Sequence, residues 1–286
     1  MTQPKTSLLE TALYVVATPI GNLGDMVPRA VEVLQKVDVI AAEDTRHSAR
    51  LMAHFSIDTP LVAYHDHTDE RQVLQLLDRL RQGASIALIS DAGTPLVSDP
   101  GYRLVHAARQ AGVRVVPIPG ACAMVAALSA SGLPSDRFSF EGFLPAKSGQ
   151  RINRLKPLMV DDRTLIFYEA PHRIEACLRD MAEVFGVERE AAIAREITKT
   201  FETITSGSLA ELGEFVAADP NQRKGEMVVM VRGKPKVIEQ AIDSEAERIM
   251  TILLADLSVK QASQLGAEIT GLKKKVLYQW ALEQQA

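Results

Sequence analysis

The most informative candidate site is the twelve-residue segment SDAGTPLVSDPG, which runs from Ser90 to Gly101. It follows an apolar run typical of a buried strand and precedes a helical pattern. Its glycines permit tight turns and its prolines stiffen the backbone. Such a loop can aim backbone N–H groups at a carboxylate or a phosphate, helped by the N-terminus of the next helix. Strand-to-helix connections usually have about 2–6 residues, so we predict a ligand-binding loop here.

Two further loops in the first half of the chain carry candidate residues. Residues 18–24, TPIGNLG, have glycines three apart. That spacing does not match the dinucleotide fingerprint, but it permits close approach of a ligand; the alternative is a simple Pro-Gly turn. Residues 43–47, EDTRH, combine acids with potential cations, and the alternative is a helix N-cap at Asp44 or Thr45. His65-Asp66-His67 lacks a third spaced ligand, so we predict no metal site.

Three polar clusters in the second half of the chain lie at the ends of predicted strands. Ion pairs explain each cluster taken alone. Three such clusters in one small domain favour a shared polar site. They are FYEAPHR at 167–173, AREITKTFE at 194–202 and KGE at 224–226.

Basic residues without acidic neighbours form two local groups. Either group can follow a phosphate backbone, or can be an ordinary solvated helix face. Glycines and a proline at the start of the first group predict a mobile loop. The first group, in segment 142–160, contains Lys147, Arg151, Arg154 and Lys156; the second contains Lys273, Lys274 and Lys275.

The elements that must position these residues alternate between strand and helix over residues 12–118. Such alternation predicts a mostly parallel sheet, whose ligands bind beyond the carboxyl ends of the strands. The loops expected at that edge are 18–26, 43–47, 65–68 and 91–101. The predicted strands are 12–17, 38–42, 61–64, 85–90 and 113–116, and the predicted helices are 27–36, 45–55, 69–82 and 102–110.

Pro117, Pro119 and Gly120 predict a hinge. Residues 119–233 then form a second α/β domain with a mixed or antiparallel sheet. Residues 1–11 are expected to be a flexible tail. Residues 233–243 are a polar connector, and residues 244–286 form two short helices that meet at Thr270-Gly271, similar to a helix-turn-helix. Expected strands in the second domain are 138–141, 164–168, 191–195, 200–205 and 226–231, with helices at 121–130, 150–158, 172–185 and 208–217.

Composition excludes several classes of protein. The 286 residues are 47% hydrophobic and 24% charged, which is ordinary for a globular chain with a sizeable core. The formal net charge is −4, so nucleic acid must bind to a local basic patch. Cys122 and Cys177 have no CxxC partner and are expected to be reduced packing thiols. We expect no membrane span and a cytoplasmic location.

Eight motifs occur in an order that resembles the tetrapyrrole methylase superfamily, and within it the family of 16S rRNA cytidine 2′-O-methyltransferases. The resemblance covers about residues 12–286. It implies two α/β domains with a cleft for S-adenosylmethionine (SAM) between them, a helical tail and a homodimer. It also implies methylation of one cytidine 2′-hydroxyl in the decoding region of 16S rRNA. The motifs are ATPIGNLGD, EDTR, SDAGTPLVSDPG, VPIPGACA, FEGFLPAK, FYEAPHR, AREITKTFE and KGEMV.

With this resemblance, the candidate residues acquire roles. The acceptor hydroxyl is almost fully protonated at neutral pH and needs a base or a cation; the candidates are Glu169, His172 and Lys199, although positioning alone is a further possibility. The RNA-binding candidates are Arg46 and the two basic groups. The SAM-binding candidates are Pro19, Gly21, Asp91, Gly93, Thr94, Pro95, Asp99, Gly120, Ala121, Ala123, Ala194, Arg195, Lys224, Gly225 and Glu226.

Two alternatives remain open on the sequence. One is a SAM-dependent methyltransferase of a small tetrapyrrole precursor. The other is a non-catalytic ribosome-assembly factor that binds RNA through its tail. Transfer of methyl groups to ribosomal subunits or to such a precursor would distinguish the two enzymes, and SAM binding without transfer would favour the assembly factor.

Overall fold

A computed structural model describes residues 9–65, 70–235 and 242–284. Asp66 and His67, named above, lie outside the described residues, as do residues 1–8 of the expected tail. The chain divides into two compact units, residues 1–234 and residues 235–286. The larger unit contains two five-stranded sheets, and the smaller one is helical.

The first sheet is entirely parallel, as the alternation predicts. Its strand order is β3-β2-β4-β1-β5. Strands β2 and β4 are buried along their whole length because helices cover both faces. The strands are β1 (Leu13–Val16), β2 (Val39–Ala42), β3 (Leu61–Ala63), β4 (Ile86–Ile89) and β5 (Val115–Ile118); the helices are α1 (Pro28–Lys36), α2 (Thr45–His54), α3 (Glu70–Arg81) and α4 (Tyr102–Gln110).

The prediction for β5 is wrong by two residues. The strand runs through Pro117, which pairs with Val15 of β1. Because β5 is the edge strand, the missing N–H of Pro117 faces no neighbouring strand. The chain therefore leaves the sheet only after Ile118, and α5 (Ala123–Ala130) follows.

The second sheet is mixed, with order β6-β7-β10-β8-β9 and one parallel pair, β6 with β7. Strand β9 begins three residues later than predicted, because residues 199–202 form a turn in which Glu202 N–H donates to Lys199 O. The strands are β6 (Phe138–Phe143), β7 (Thr164–Glu169), β8 (Glu190–Arg195), β9 (Thr203–Ser208) and β10 (Met227–Val231); the helices are α6 (Ser148–Leu155), α7 (Ile174–Phe185) and α8 (Leu209–Ala218).

The two faces of the second sheet have separate cores. Leu165, Phe167 and the apolar side of α7 form one. Ile166, Val228 and α5 form the other, which also contains Ile20. Alternate residues of β7 thus point to opposite faces, so the side chain of each strand-end residue is fixed to one side.

The described part of residues 235–286 contains three helices where the sequence predicted two. They are α9 (Ser244–Asp256), α10 (Val259–Thr270) and α11 (Lys274–Glu283). The unexpected break lies at Ser258, whose side chain caps α10 in a capping box with Gln261. The predicted break is confirmed at Gly271, which ends α10 with φ of 72°. Gly266 allows close helix packing, since a Cβ there would lie 2.6 Å from Met250 Sδ.

Candidate functional site

A cavity of about 430 Å³ lies within residues 1–234, a volume typical of small-molecule sites. Its walls are the loop after β4, the start of α5, the C-terminal end of β7 and the start of β10. Seven of the candidate residues line it: Asp91, Gly93, Thr94, Asp99, Ala123, Glu169 and Glu226.

Hydrogen bonds hold the long loop after β4 against the loop after β1. Gly93 N–H donates to Thr18 O at 3.0 Å, and Thr18 N–H donates to Gly93 O at 2.8 Å. Strands β1 and β4 are neighbours in the sheet, so their carboxyl ends bring these two loops together. Thr94 Oγ1 donates to Ala121 O at 2.9 Å, which joins the loop to the start of α5. The loop is therefore built into the fold.

Backbone strain marks the same loop. Leu96 and Ser98 have φ of 72° and 62°, in the left-handed region that favours glycine. Strained backbone of this kind persists where the surrounding structure enforces it, and such positions concentrate at ligand sites. Gly93 has φ of 84°, and a Cβ at this position would lie 3.3 Å from Ile20 Cγ2. There is therefore little room for a side chain here.

The EDTRH cluster joins the cavity through its first two residues. Asp44 N–H donates to Asp91 Oδ1 at 3.1 Å, and Asp91 N–H faces Glu43 Oε2 at 3.4 Å. Asp44 is also the N-cap of α2, as the alternative interpretation of this cluster had it. Its hydrogen bonds to Arg46 lower the pKa of the Asp44 carboxyl.

Glu169 is buried at the end of β7, with 2% of its surface exposed. Its Oε1 accepts the Ala170 N–H at 2.8 Å and lies 2.9 Å from Arg173 Nε. Arg173 also donates to Leu144 O, beyond the end of β6. The Glu169–Arg173 pair thus links the cavity wall to the chain after β6.

Lys199 bridges two carboxylates, with its Nζ 2.9 Å from Glu196 Oε1 and 2.8 Å from Glu226 Oε2. Burial lowers the pKa of Lys199, but the hydrogen bonds to Glu226 and Glu196 outweigh it and raise the pKa above its ordinary value. Lys199 is therefore held as a cation. Glycines make room for this group, because a Cβ at Gly21 would collide with the Lys199 side chain and one at Gly225 with the Glu196 carboxyl.

Tyr168 presents a protonated phenol to the cavity. Burial, with Cys122 nearby, raises the pKa of Tyr168 to about 12. Its oxygen accepts the Met124 N–H at 3.2 Å. The rings of Phe140 and Phe143 pack edge-on against it, with centroids 4.8 and 5.6 Å away. Tyr168 can position a ligand by hydrogen bonding but cannot act as a base near neutral pH.

The other candidates lie near the cavity without lining it, or point elsewhere. His172 is exposed on the short 3-10 helix Pro171–Arg173. Ala194 lies in the core of the second sheet. Arg195 donates to Gln222, to Thr203 and to the carbonyls of two loops. The remaining candidates that do not line the cavity are Pro19, Gly21, Pro95, Gly120, Ala121, Lys224, Gly225 and Lys199.

The prediction that Arg151 contacts RNA is wrong. Its side chain is 2% exposed and pairs with Asp180 at 2.7 Å. It also donates to Pro145 O and Ala146 O, each at 3.3 Å. These bonds tie down the chain after β6, where the sequence predicted a mobile loop. The other basic candidates are exposed, with Arg154 paired to Glu141 and Arg46 to Asp44: Arg46, Lys147, Arg154, Lys156, Lys273, Lys274 and Lys275.

Sequence reasoning did not single out several lining residues. Tyr168, Ala170 and Pro171 lie in the FYEAPHR motif, and Phe143 lies in FEGFLPAK, so the motifs contained a signal that single-residue chemistry did not use. The other lining residues that were given no individual role also lie within the motifs: Ile20, Glu43, Ala92, Val97, Ser98, Cys122, Ile197, Met227 and Val228.

No lysine or arginine lines the cavity among the residues that the structure describes, whereas five acidic residues do. Within the same described ranges, no group of three potential metal ligands is found. No described helix is long and apolar enough to cross a membrane.

The sequence matches two family profiles. The profile described as Tetrapyrrole (Corrin/Porphyrin) Methylases matches residues 12–213. The profile described as RsmI C-terminal HTH domain matches residues 240–285. The first profile covers the first sheet and four strands of the second but ends before β10, and the second profile covers the three C-terminal helices.

Curated relatives are similar over nearly the whole chain. The chain is 57% identical to Ribosomal RNA small subunit methyltransferase I of Pseudomonas aeruginosa, over 96% of this chain and 97% of the relative. It is 58% identical to the protein of the same name in Vibrio cholerae, over 95% of this chain and 94% of the relative.

Solved structures share the fold at low sequence identity. Diphthine synthase superposes with a TM-score of 0.58 at 15% identity, over 77% of this chain and 89% of that one. Uroporphyrin-III C-methyl transferase from Thermus thermophilus, complexed with S-adenyl homocysteine, superposes with a TM-score of 0.52 at 18% identity, over 77% and 96% of the two chains. At these identities the likeness concerns the fold alone.

Proposed function

This chain belongs to the tetrapyrrole methylase family and is a methyltransferase, and we propose that it transfers a methyl group from SAM to the 2′-hydroxyl of a cytidine in the decoding region of 16S rRNA. The observation that carries the choice of substrate is the near full-length similarity to relatives named as small-subunit rRNA methyltransferases. A ribosomal substrate is consistent with a cytoplasmic location.

Two features of the cavity fit SAM: the charge of its lining side chains and the space that its backbone leaves at Gly93. SAM carries positive charge on its sulfonium and its amino group, and Glu43, Asp91 and Asp99 contribute carboxylates to one wall. Gly93 provides a cradle that a side chain would fill. The residues that would hold SAM are Asp91, Gly93, Thr94, Asp99 and Ala123 on the side of the first sheet, and Glu226 on the side of the second.

Bound SAM supplies an electrophilic methyl group, and the chain's own residues must position the acceptor hydroxyl. Glu169 lines the cavity, but its side chain is wholly buried and is held by Arg173 and the Ala170 N–H. Of the three catalytic candidates it alone lines the cavity, so we rank it first, as a residue that fixes the cavity wall beside the acceptor. Lys199, held as a cation, would act through charge and not as a base. Lys199 and His172 both lie outside the cavity lining, but Lys199 pairs with the lining residue Glu226, so we rank Lys199 second and His172 third.

RNA phosphates would bind outside the cavity. Arg46, Lys147, Arg154 and Lys156 are exposed on the larger unit, and Lys273–Lys275 are exposed at the start of α11. Exposed cations of this kind neutralise phosphates and release counterions, which makes binding depend on salt. We further propose that the enzyme acts as a homodimer.

Methyl transfer from radiolabelled SAM to small ribosomal subunits tests the function. The subunits come from cells lacking this enzyme, and mass spectrometry of nuclease fragments maps the product. We expect one labelled ribose 2′-oxygen, on a cytidine of 16S rRNA. Parallel reactions contain either subunits that already carry the modification or a tetrapyrrole precursor. Label on the precursor, or SAM binding with no transfer to rRNA, would refute the proposal.

A further inference from the structure

Phe143 combines exposure with a fixed position at the cavity. The side chain lines the cavity, yet 57% of its surface is exposed. Single exposed apolar side chains are common on protein surfaces, so the exposure of Phe143 is informative only because the ring also lines the cavity.

A β-bulge aims Phe143 at the cavity. Phe140 pairs with Ile166 and Phe143 pairs with Tyr168, so three residues of β6 oppose two of β7. Without the extra residue, Gly142 would oppose Tyr168 and Phe143 would turn to the opposite face of the sheet. Gly142 has φ of 67°, a conformation that glycine adopts without strain. Bulges that redirect side chains are common beside active sites.

The chain that follows Phe143 is clamped by two arginines. Arg173 donates to Leu144 O, and the buried Arg151 donates to Pro145 O and Ala146 O. The Tyr168 ring packs against the Phe143 ring, with the centroids 5.6 Å apart and the planes at 67°. The exposed ring is therefore presented by a rigid segment, which reduces the entropy lost when a planar ligand stacks on it.

We propose that Phe143 is a stacking platform for one unstacked nucleobase of the RNA substrate. This inference rests on the proposed function. An acceptor ribose can enter a cavity of about 430 Å³ only if its nucleotide leaves the helical stack. RNA-binding proteins hold such splayed bases on aromatic rings. Exposed Lys147, four residues further on, provides a cation for the neighbouring phosphates.

Substitutions at Phe143 test the platform. Stacking on an aromatic side chain is worth about 1–3 kcal/mol per base, which corresponds to about 5- to 150-fold. We expect Phe143→Ala to raise the KM for small subunits by about that factor. Phe143→Leu should behave like Phe143→Ala, and Phe143→Tyr should stay within about threefold of the wild type.

Phe138 provides the matched control. It lies on the same strand and on the same side of the sheet as Phe140, is 42% exposed, and does not line the cavity. Phe138→Ala should leave the KM for subunits within about twofold. SAM affinity, measured by calorimetry, and the oligomeric state, measured by light scattering, should be the same in all variants.

Three outcomes would overturn the inference while leaving the proposed function intact. Full rescue by Phe143→Leu would show that any apolar side chain suffices. An equal loss of SAM affinity would place the ring against the cofactor. A change of oligomeric state would make Phe143 a contact between two copies of the chain.

A binding measurement tests the platform independently of methyl transfer. The chain has one tryptophan, Trp280. Phe143→Trp in a Trp280→Phe background therefore places the only indole at the cavity. Titration with a short single-stranded oligoribonucleotide from the decoding region should quench its fluorescence, because a stacked base quenches indole. Saturable binding without quenching would refute the platform, whether or not the wild-type enzyme methylates the subunits.

Discussion

Breaking the buried Arg151–Asp180 ion pair by removing one partner should strongly destabilise the larger unit. Its side chains are 2% and 3% exposed, and Asp180 Oδ2 lies 2.7 Å from Nη2 and 2.8 Å from Nε of Arg151. Asp180→Asn keeps the volume but leaves a buried guanidinium without its counter-charge. Removing one partner of a buried pair costs about 3–5 kcal/mol. We expect Asp180→Asn to lower the free energy of unfolding by that amount.

Urea unfolding measures this loss. With an m value of about 3 kcal/mol/M, the midpoint for the larger unit should fall by about 1–2 M. The double variant Arg151→Met/Asp180→Leu removes both charges, so it should lose less than the single variant. Its remaining loss should be about 1–3 kcal/mol, since the carbonyls of Pro145 and Ala146 lose their donor.

The exposed pair Arg232–Glu190 is the control, with a separation of 2.5 Å and side chains 45% and 46% exposed. Glu190→Gln should cost at most about 1 kcal/mol. A loss below about 1 kcal/mol for Asp180→Asn, or a double variant less stable than the single one, would refute the reasoning about buried charge.

Three further predictions concern the cavity and the RNA surface. Burial raises the pKa of Glu196, but the hydrogen bonds from Lys199 and the Glu226 N–H, together with the charges of Lys199 and Arg195, outweigh it and lower the pKa below its ordinary value. Because the pKa of Lys199 is raised as well, the Glu196–Lys199 pair stabilises the fold between about pH 4.5 and 10.5. This stabilisation is lost as the pH falls through the folded-state pKa of Glu196, and it is also lost as the pH rises through the folded-state pKa of Lys199. Thermal unfolding of Glu196→Gln should therefore show a flatter pH profile below pH 5 than the wild type. Asp99→Ala should weaken SAM binding about tenfold in calorimetry, as loss of one charged contact does. Charge reversal of Lys273–Lys275 should reduce subunit binding and its salt slope but leave SAM affinity unchanged.

Each of these predictions has a result that contradicts it. If Glu196→Gln unfolded with the same pH profile below pH 5 as the wild type, the Glu196–Lys199 pair would not stabilise the fold. Normal SAM affinity in Asp99→Ala would remove this carboxylate from the cofactor site. Equal losses of RNA and SAM binding after charge reversal at Lys273–Lys275 would indicate a structural role for the start of α11.

The strands could be predicted because their signal is local. Apolar runs such as Ile86–Ile89 are buried on both sides, and each predicted strand overlaps an observed one. The break at Ser258 was missed although Gln261 follows three residues later, which is a capping-box spacing. There the continuous helical periodicity of the apolar residues concealed a cap that polar side chains form.

The environment of a charged residue could not be predicted in the same way. Arg151 resembles its exposed neighbours in sequence, but its partner Asp180 lies 29 positions away on α7. Lys199 meets Glu226 only because β8 and β10 are adjacent in the second sheet. Tyr168 enters the cavity because alternate residues of β7 face α5. In each case the environment of the side chain depends on contacts between residues far apart in the chain, and residue type and local spacing do not reveal those contacts.

The distribution of charge also bears on the choice between substrates. Of the five acidic residues that line the cavity, Glu169 is paired with Arg173 and Glu226 with Lys199. Glu43, Asp91 and Asp99 add three more carboxylates, all on one wall of the cavity. A tetrapyrrole precursor carries many carboxylates and would need cations at this wall, whereas none of the lining residues described is lysine or arginine. A cationic cofactor suits the wall, and an RNA can present a neutral ribose and base to it while its phosphates stay outside.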